Sequence, residues 1–244
     1  MSKIIAVIPA RKGSKGLPGK NTLPIKNTPL ISHSIALAKC VGLFSEIVVT
    51  TDCKDSTEIA KTISGISAIK RPSALAQDDS SIIDVLLHAA ESLHSKNDLS
   101  NLSIALLQPT SPFRSVKDID NAVSKYRLQP QSPLVSVSRS SQHYFEIVLR
   151  SPDGQWHQTS GHPSLKGRQS YQLESYFISG SFYIAPYCYL KSHRTFLSAD
   201  TVFQVFDEPH VIDIDTPSDY ELACSIASLP SMREYVYPFV NGEN

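Results

Sequence analysis

Residues 4–21 read IIAVIPARKGSKGLPGKN, and the fold turns on how that stretch is understood. An apolar run rich in Ile and Val stops at Pro9 and gives way to Arg11, Lys12, Lys15 and Lys20. Such a run, bounded by Pro and Gly, predicts a buried strand feeding a loop. Gly13, Gly16 and Gly19 punctuate that loop. Glycine lets backbone approach a ligand closely, and its amides can line an anion site. Seven Lys or Arg precede Glu46, the first acidic residue, yet the whole chain has a formal net charge of zero. The positive charge is therefore local, and it suits a polyphosphate. The loop is neither of two familiar phosphate motifs. A Walker loop needs Ser or Thr after its Lys, but Asn21 follows Lys20; a dinucleotide fingerprint needs GxGxxG, and these glycines run GxxGxxG.

Working outward, the apolar spacing predicts helices over 29–40, 53–63, 79–94 and 116–126. Buried strands are expected at 46–51, 66–70, 102–107 and 133–138, and an aromatic-rich strand at 176–185. Strands alternating with helices give an α/β fold: a Rossmann-like, mostly parallel sheet with helices on both faces. Ligands of such sheets sit beyond the carboxyl ends of the strands. The loops that start at Pro9, Asp52 and Gln108 should therefore share one rim. Over 139–171 the texture changes, with alternating segments on either side of Ser151-Pro152-Asp153-Gly154, a hairpin turn signal. This predicts a β-hairpin insertion in a single 1–244 domain, with a loosely docked tail from Met232.

A second constellation is VIDIDTPSDY at 211–220. In an extended segment residues i and i+2 face one side, so Asp213 and Asp215 project together while Ile212 and Ile214 pack inward. Two carboxylates opposite a phosphate site suit Mg²⁺, a hard ion that takes oxygen ligands. Thr216-Pro217-Ser218-Asp219 reads as a helix start with Pro at the first helical position, which makes Asp219 a cap. Gln108 is either a ligand to a base or sugar or a strand terminator. Arg71 before Pro72, and Arg168 in a polar stretch, are equally open between surface and substrate.

At 244 residues, with 41% hydrophobic and 19% charged residues, the chain can bury a substantial core. The neutral balance argues against nucleic-acid binding by bulk electrostatics. No apolar run approaches the roughly 18 residues of a membrane helix. A strand that starts almost at once leaves no room for a signal peptide. Cys40, Cys53, Cys188 and Cys224 lack metal or disulfide spacing, as expected of reduced residues in a cytoplasmic protein.

Five stretches in order resemble the CMP-sialic acid synthetases, or acylneuraminate cytidylyltransferases. They are IPARKGSKGLPGKN (8–21), RPSALAQDDSS (71–81), LLQPTSPFR (106–114), GRQ with SGSFYIA (167–169 and 179–185), and IDIDTPSDYELA (212–223). The KDO cytidylyltransferases are similar at the first loop but carry Pro where this chain has Asn21. The resemblance implies a nucleotide-diphospho-sugar transferase type of fold and transfer of CMP from CTP to a nonulosonic acid. It assigns Arg11, Lys15, Lys20 and Asn21 to the CTP phosphates and nearby groups. It places Arg71, Ser80 and Gln108 in the nucleotide and sugar pocket, Arg168 at the reacting groups or pyrophosphate, and Mg²⁺ on Asp213 and Asp215. It also implies a homodimer whose β insertion reaches the partner's sugar site. Departures lie at Ser179-Gly180, where the family has Asn-Gly, at Ile82, where it has Ser, and at 170–174. All three fall on the expected sugar side, leaving N-acetylneuraminic and legionaminic acids both open. Alternatives are KDO or pseudaminic acid as substrate, or a non-catalytic nucleotide-sugar binder.

Overall fold

The computed structural model describes residues 3–142, 146–158, 174–206, 211–233 and 235. β1 (Lys3–Pro9) lies inside a seven-stranded sheet and is apolar on both faces. Its alternation decides which helices it meets. Ile4, Ala6 and Ile8 pack in one core with α1 (Leu30–Val41) and Ala60 of α2 (Lys54–Thr62). Ile5 and Val7 pack in a second core with α3 (Ile82–Leu93). A strand covered on both sides reads as a continuous apolar run rather than an alternating one.

The remaining strands of the first half are β4 (Glu46–Thr51), β5 (Ile66–Lys70) and β6 (Leu102–Leu106); a small hairpin, β2 (Pro24–Ile25) and β3 (Thr28–Pro29), precedes α1. β1 pairs in parallel with β4 and β6, and β4 with β5. Pro9, Thr51, Lys70 and Leu106 thus end on one rim, as the sequence pattern predicts. α4 (Lys96–Leu99) and α5 (Val116–Leu128) flank β6, and β7 (Leu134–Arg139) follows. Ser115 caps α5, its hydroxyl accepting from Asp118 N at 3.0 Å.

The sequence pattern leaves three features out. β10 (Tyr176–Pro186) is antiparallel to both β6 and β7, and its pairing with β7 shifts register between Ile178 and Tyr183. α6 (Tyr187–His193) and the edge strand β11 (Val202–Val205) follow it, giving the order β11-β7-β10-β6-β1-β4-β5. In the 139–171 region, β8 (Val148–Arg150) and β9 (Trp156–Gln158) form the expected hairpin, closed by Ser151 N donating to Gln155 O at 2.9 Å. The rest of that region from 159 on lies outside the described residues.

α3 begins at Ile82 rather than at residue 79, because Gln77–Ser80 is a turn: Gln77 N donates to Ser80 Oγ at 3.0 Å. α7 (Pro217–Ala227) is the last α-helix among the described residues. The expectation of a loose tail from Met232 fails at its first residue. Met232 is buried in a third apolar cluster with Leu17, Ile25, Phe113, Ile212, Ile214 and Ala223. That cluster joins the opening loop to the 211–216 segment, far apart in sequence.

Candidate active site

The opening loop is pinned to the rim by main-chain contacts. Lys12 N donates to Asp52 Oδ1 at 2.7 Å, and Asn21 Nδ2 donates to Arg11 O at 3.0 Å. The three glycines do different things. A Cβ on Gly16 would lie 2.4 Å from the Asp215 carbonyl oxygen, so the close approach it permits is to this chain's own backbone. Gly19 has φ +69, the left-handed region that favours glycine. Gly13 meets nothing within 4 Å, and its packing does not demand glycine.

The 211–216 segment crosses the rim opposite the loop. It is irregular chain rather than the strand implied by its alternation, with Ile214 N donating to Thr110 O at 3.0 Å. Side-chain alternation survives: Ile212 and Ile214 are buried while Asp213 and Asp215 are exposed. Neither acid carries a cost of burial. Asp219 forms a capping box with Thr216, accepting from Thr216 N at 2.8 Å while Thr216 Oγ1 accepts from Asp219 N at 3.3 Å. The Thr216 hydroxyl, more than its amide, holds the Asp219 carboxyl below the usual range.

Lys20 links the two segments. Its Nζ lies 2.6 Å from Asp215 Oδ1 and donates to Ile214 O at 3.1 Å. A cation already rests on a carboxylate and a main-chain carbonyl at the point where Mg²⁺ was expected. These are hard oxygen donors, so the pair fits a divalent ion of that kind. Among the described residues no group of three or more His, Cys, Asp or Glu is placed to hold a metal. An ion on Asp213 and Asp215 would therefore draw its other oxygens from bound ligand or water. Burial, and secondly the Asp213 charge, raise the Tyr183 hydroxyl's pKa.

Arg11, Lys20, Asn21, Arg71, Ser80 and Gln108 line one cavity of about 170 Å³. Arg71 is buried rather than on the surface; its Nη2 donates to Thr50 O at 2.7 Å, and burial lowers its pKa to about 10. Gln108 is more than a strand terminator: it lines the cavity, and its Nε2 donates to Gly180 O at 3.4 Å. Ser80 Oγ is engaged in its own turn, donating to Ala74 O at 3.2 Å. Lys15 stands outside this set, its side chain 88% exposed and paired with Asp78. Arg168 lies outside the described residues. Asp78 escaped the sequence reading, although its acidic pair in QDDSS beside a cationic loop was an available signal. Of the departures, Ile82 lines the cavity, while Ser179 is buried, its hydroxyl 3.0 Å from that of Ser136.

A larger cleft of about 1090 Å³, lined by Lys12, Asp52, Lys70 and Ser73, adjoins the cavity and shares Arg71 and Gln77 with it. The rim thus offers cations and exposed carboxylates around a polar pocket, which suits a phosphorylated ligand.

Comparison with known proteins narrows the family. The cytidylyltransferase family model matches residues 5–237. The chain is 36% identical to a CMP-N,N'-diacetyllegionaminic acid synthase of Legionella pneumophila, over 93% of this chain and 97% of that protein. It is 33% identical to an N-acylneuraminate cytidylyltransferase of Escherichia coli O18:K1:H7, over 92% of this chain but only 52% of that protein. It therefore spans about half the length of the latter relative. A CMP:2-keto-3-deoxy-manno-octonic acid synthetase complexed with CTP has the same fold, with TM-score 0.66 at 19% identity over 92% of this chain and 98% of that one. The chain belongs to the cytidylyltransferase family.

Proposed function

We propose that this protein transfers CMP from CTP to the anomeric hydroxyl of a nonulosonic acid, N-acetylneuraminic, legionaminic or similar. The observation that carries this reading is the meeting of Lys20, which lines the Arg71–Gln108 cavity, with Asp215. It brings phosphate-binding and metal-binding chemistry to one point, and the L. pneumophila relative's name supplies the sugar class. The anomeric hydroxyl attacks the α-phosphorus of CTP and gives up its proton to water; the bond from that phosphorus to the bridging oxygen breaks, and pyrophosphate leaves. Arg11, Lys15 and Lys20 hold the phosphates, with Arg168 contributing at the reacting groups. Asn21, Arg71, Ser80 and Gln108 orient the nucleotide and sugar. Asp213 and Asp215 would hold Mg²⁺, which when bound offsets the charge that develops on the phosphates. Positioning by rigid rim residues supplies the rest.

We place the enzyme in the cytoplasm as a homodimer of single-domain chains, with neither nucleic acid nor membrane as partner. Four cysteines, all free, fit a reducing compartment. The hairpin exposes Val148, Leu149 and Trp156, an apolar surface of the kind that partner subunits cover. Pyrophosphate release measured with CTP, Mg²⁺ and a panel of nonulosonic acids, KDO and pseudaminic acid included, tests the reaction. Turnover with one of the sialic or legionaminic acids is expected. Silence across the panel sinks the reading in favour of a non-catalytic nucleotide-sugar binder.

A further inference from the structure

The loop cations face an anion that the fold itself supplies. Arg11 donates from Nη1 to Asp78 Oδ1 at 2.5 Å, and Lys15 Nζ lies 2.6 Å from Asp78 Oδ2. Each carboxylate oxygen takes a different cation, the arrangement a bridging phosphate would adopt. The turn that presents Asp78 is braced, with Gln77 Nε2 donating to Ser73 O at 2.7 Å and Ser80 Oγ donating to Ala74 O at 3.2 Å. The carboxylate is thus held out toward the loop from a fixed base.

This bridge sits where the two cavities adjoin. Arg11 and Asp78 line the inner cavity of about 170 Å³, Lys12 lines the outer cleft of about 1090 Å³, and Gln77 and Arg71 line both. The inner volume is below the roughly 300–1,000 Å³ of small-molecule sites. A nucleoside triphosphate that enters the inner cavity must therefore extend into the outer cleft.

Resting on the cytidylyltransferase reading, we propose that Asp78 is a placeholder for the triphosphate. Its carboxylate occupies Arg11 and Lys15 until a phosphate displaces it, and the displacement joins the inner cavity to the outer cleft. After transfer the same carboxylate competes with pyrophosphate for the two cations and hastens its departure. Asp78 is a positioning residue in this scheme and forms no bond to the reacting atoms. The side chains are 33% (Arg11), 88% (Lys15) and 40% (Asp78) exposed, so the pairs are weak enough for a more highly charged phosphate to replace them.

The sign of one substitution decides the matter. Binding of inorganic pyrophosphate is measured calorimetrically in EDTA, for the wild type and for Asp78→Asn and Asp78→Ser. A placeholder requires both variants to bind about three- to tenfold tighter, the scale of losing a weak competing pair. Unchanged or weaker binding in both overturns the proposal, since Asp78 would then be pre-ordering the cations. Tighter binding by the Asn variant alone also overturns it, because new amide hydrogen bonds would be the cause. If no protein binds pyrophosphate, the placeholder and the loop's role as an anion cradle fall together. If the variants do bind tighter while the CTP panel stays silent, only the substrate reading falls.

Discussion

The proposed phosphate side and the proposed sugar side of the rim are built from different chemistry. On the phosphate side Arg11, Lys15 and Lys20 meet carboxylates at 2.5–2.6 Å, and Arg71 meets a buried carbonyl. On the sugar side the groups are neutral. Ser136 Oγ accepts from Phe182 N at 2.9 Å and lies 3.0 Å from Ser179 Oγ. Gly180 takes a left-handed φ of +77 in the register shift of β10. The hydroxyls of Ser111 and Ser138 are buried with no hydrogen-bond partner among the described residues. Charge announces itself in a sequence because Lys, Arg and Asp are seldom clustered by chance; serine does not. An arrangement built from hydroxyls and a shifted register becomes visible only once strands are paired.

The largest blow to the phosphate side should come from Asp213→Ala and Asp215→Ala. Each is expected to lower kcat by about a hundred- to a thousandfold, the scale of losing preorganised charge stabilisation; the melting temperature should hold for Asp213→Ala, whose side chain is exposed, and fall modestly for Asp215→Ala, which leaves Lys20 without its carboxylate. Pyrophosphate release checks this, and variants within tenfold of wild type would remove the metal site from the proposal. Next is Gly16→Ala. Its Cβ would collide with the Asp215 carbonyl at 2.4 Å, forcing loop and acidic segment apart. A displacement near 1 Å costs about a hundredfold in kcat/KM for CTP, and steady-state kinetics with Mg²⁺ titration would show the loss.

Smallest, and confined to the other side, is Ser179→Asn, which restores the family's Asn-Gly. A change of about tenfold in the ratio of kcat/KM between N-acetylneuraminic and legionaminic acids is expected, the scale of one altered pocket contact. The KM for CTP should stay put. A shift in CTP binding instead would show that the two sides are not separate.

Much of this was legible beforehand. The parallel core strands follow from continuous apolar runs, and Asp219's capping role follows from its spacing after Thr216. Other parts resisted. β10 has the composition of any buried strand, and nothing in YFISGSFYIA states that it runs antiparallel. Arg71 before Pro reads equally as surface or as a substrate contact, and its burial shows only where it meets the Thr50 carbonyl of a neighbouring strand. The pairing of Asp78 is not legible in the sequence because the two cations it meets lie more than sixty residues earlier.

The sequence by itself determined the alternation of strand and helix, the local excess of positive charge in the opening loop and the outward projection of Asp213 and Asp215. These are properties of near neighbours, set by periodicity and side-chain chemistry. Only the tertiary structure decided that Gly16 exists for Asp215's backbone, that Lys20 already rests on that carboxylate, and that Asp78 faces Arg11 and Lys15. Such contacts depend on which apolar surfaces dock, here Leu17 against Ile212 and Ile214, and burial has no direction until the whole chain supplies one.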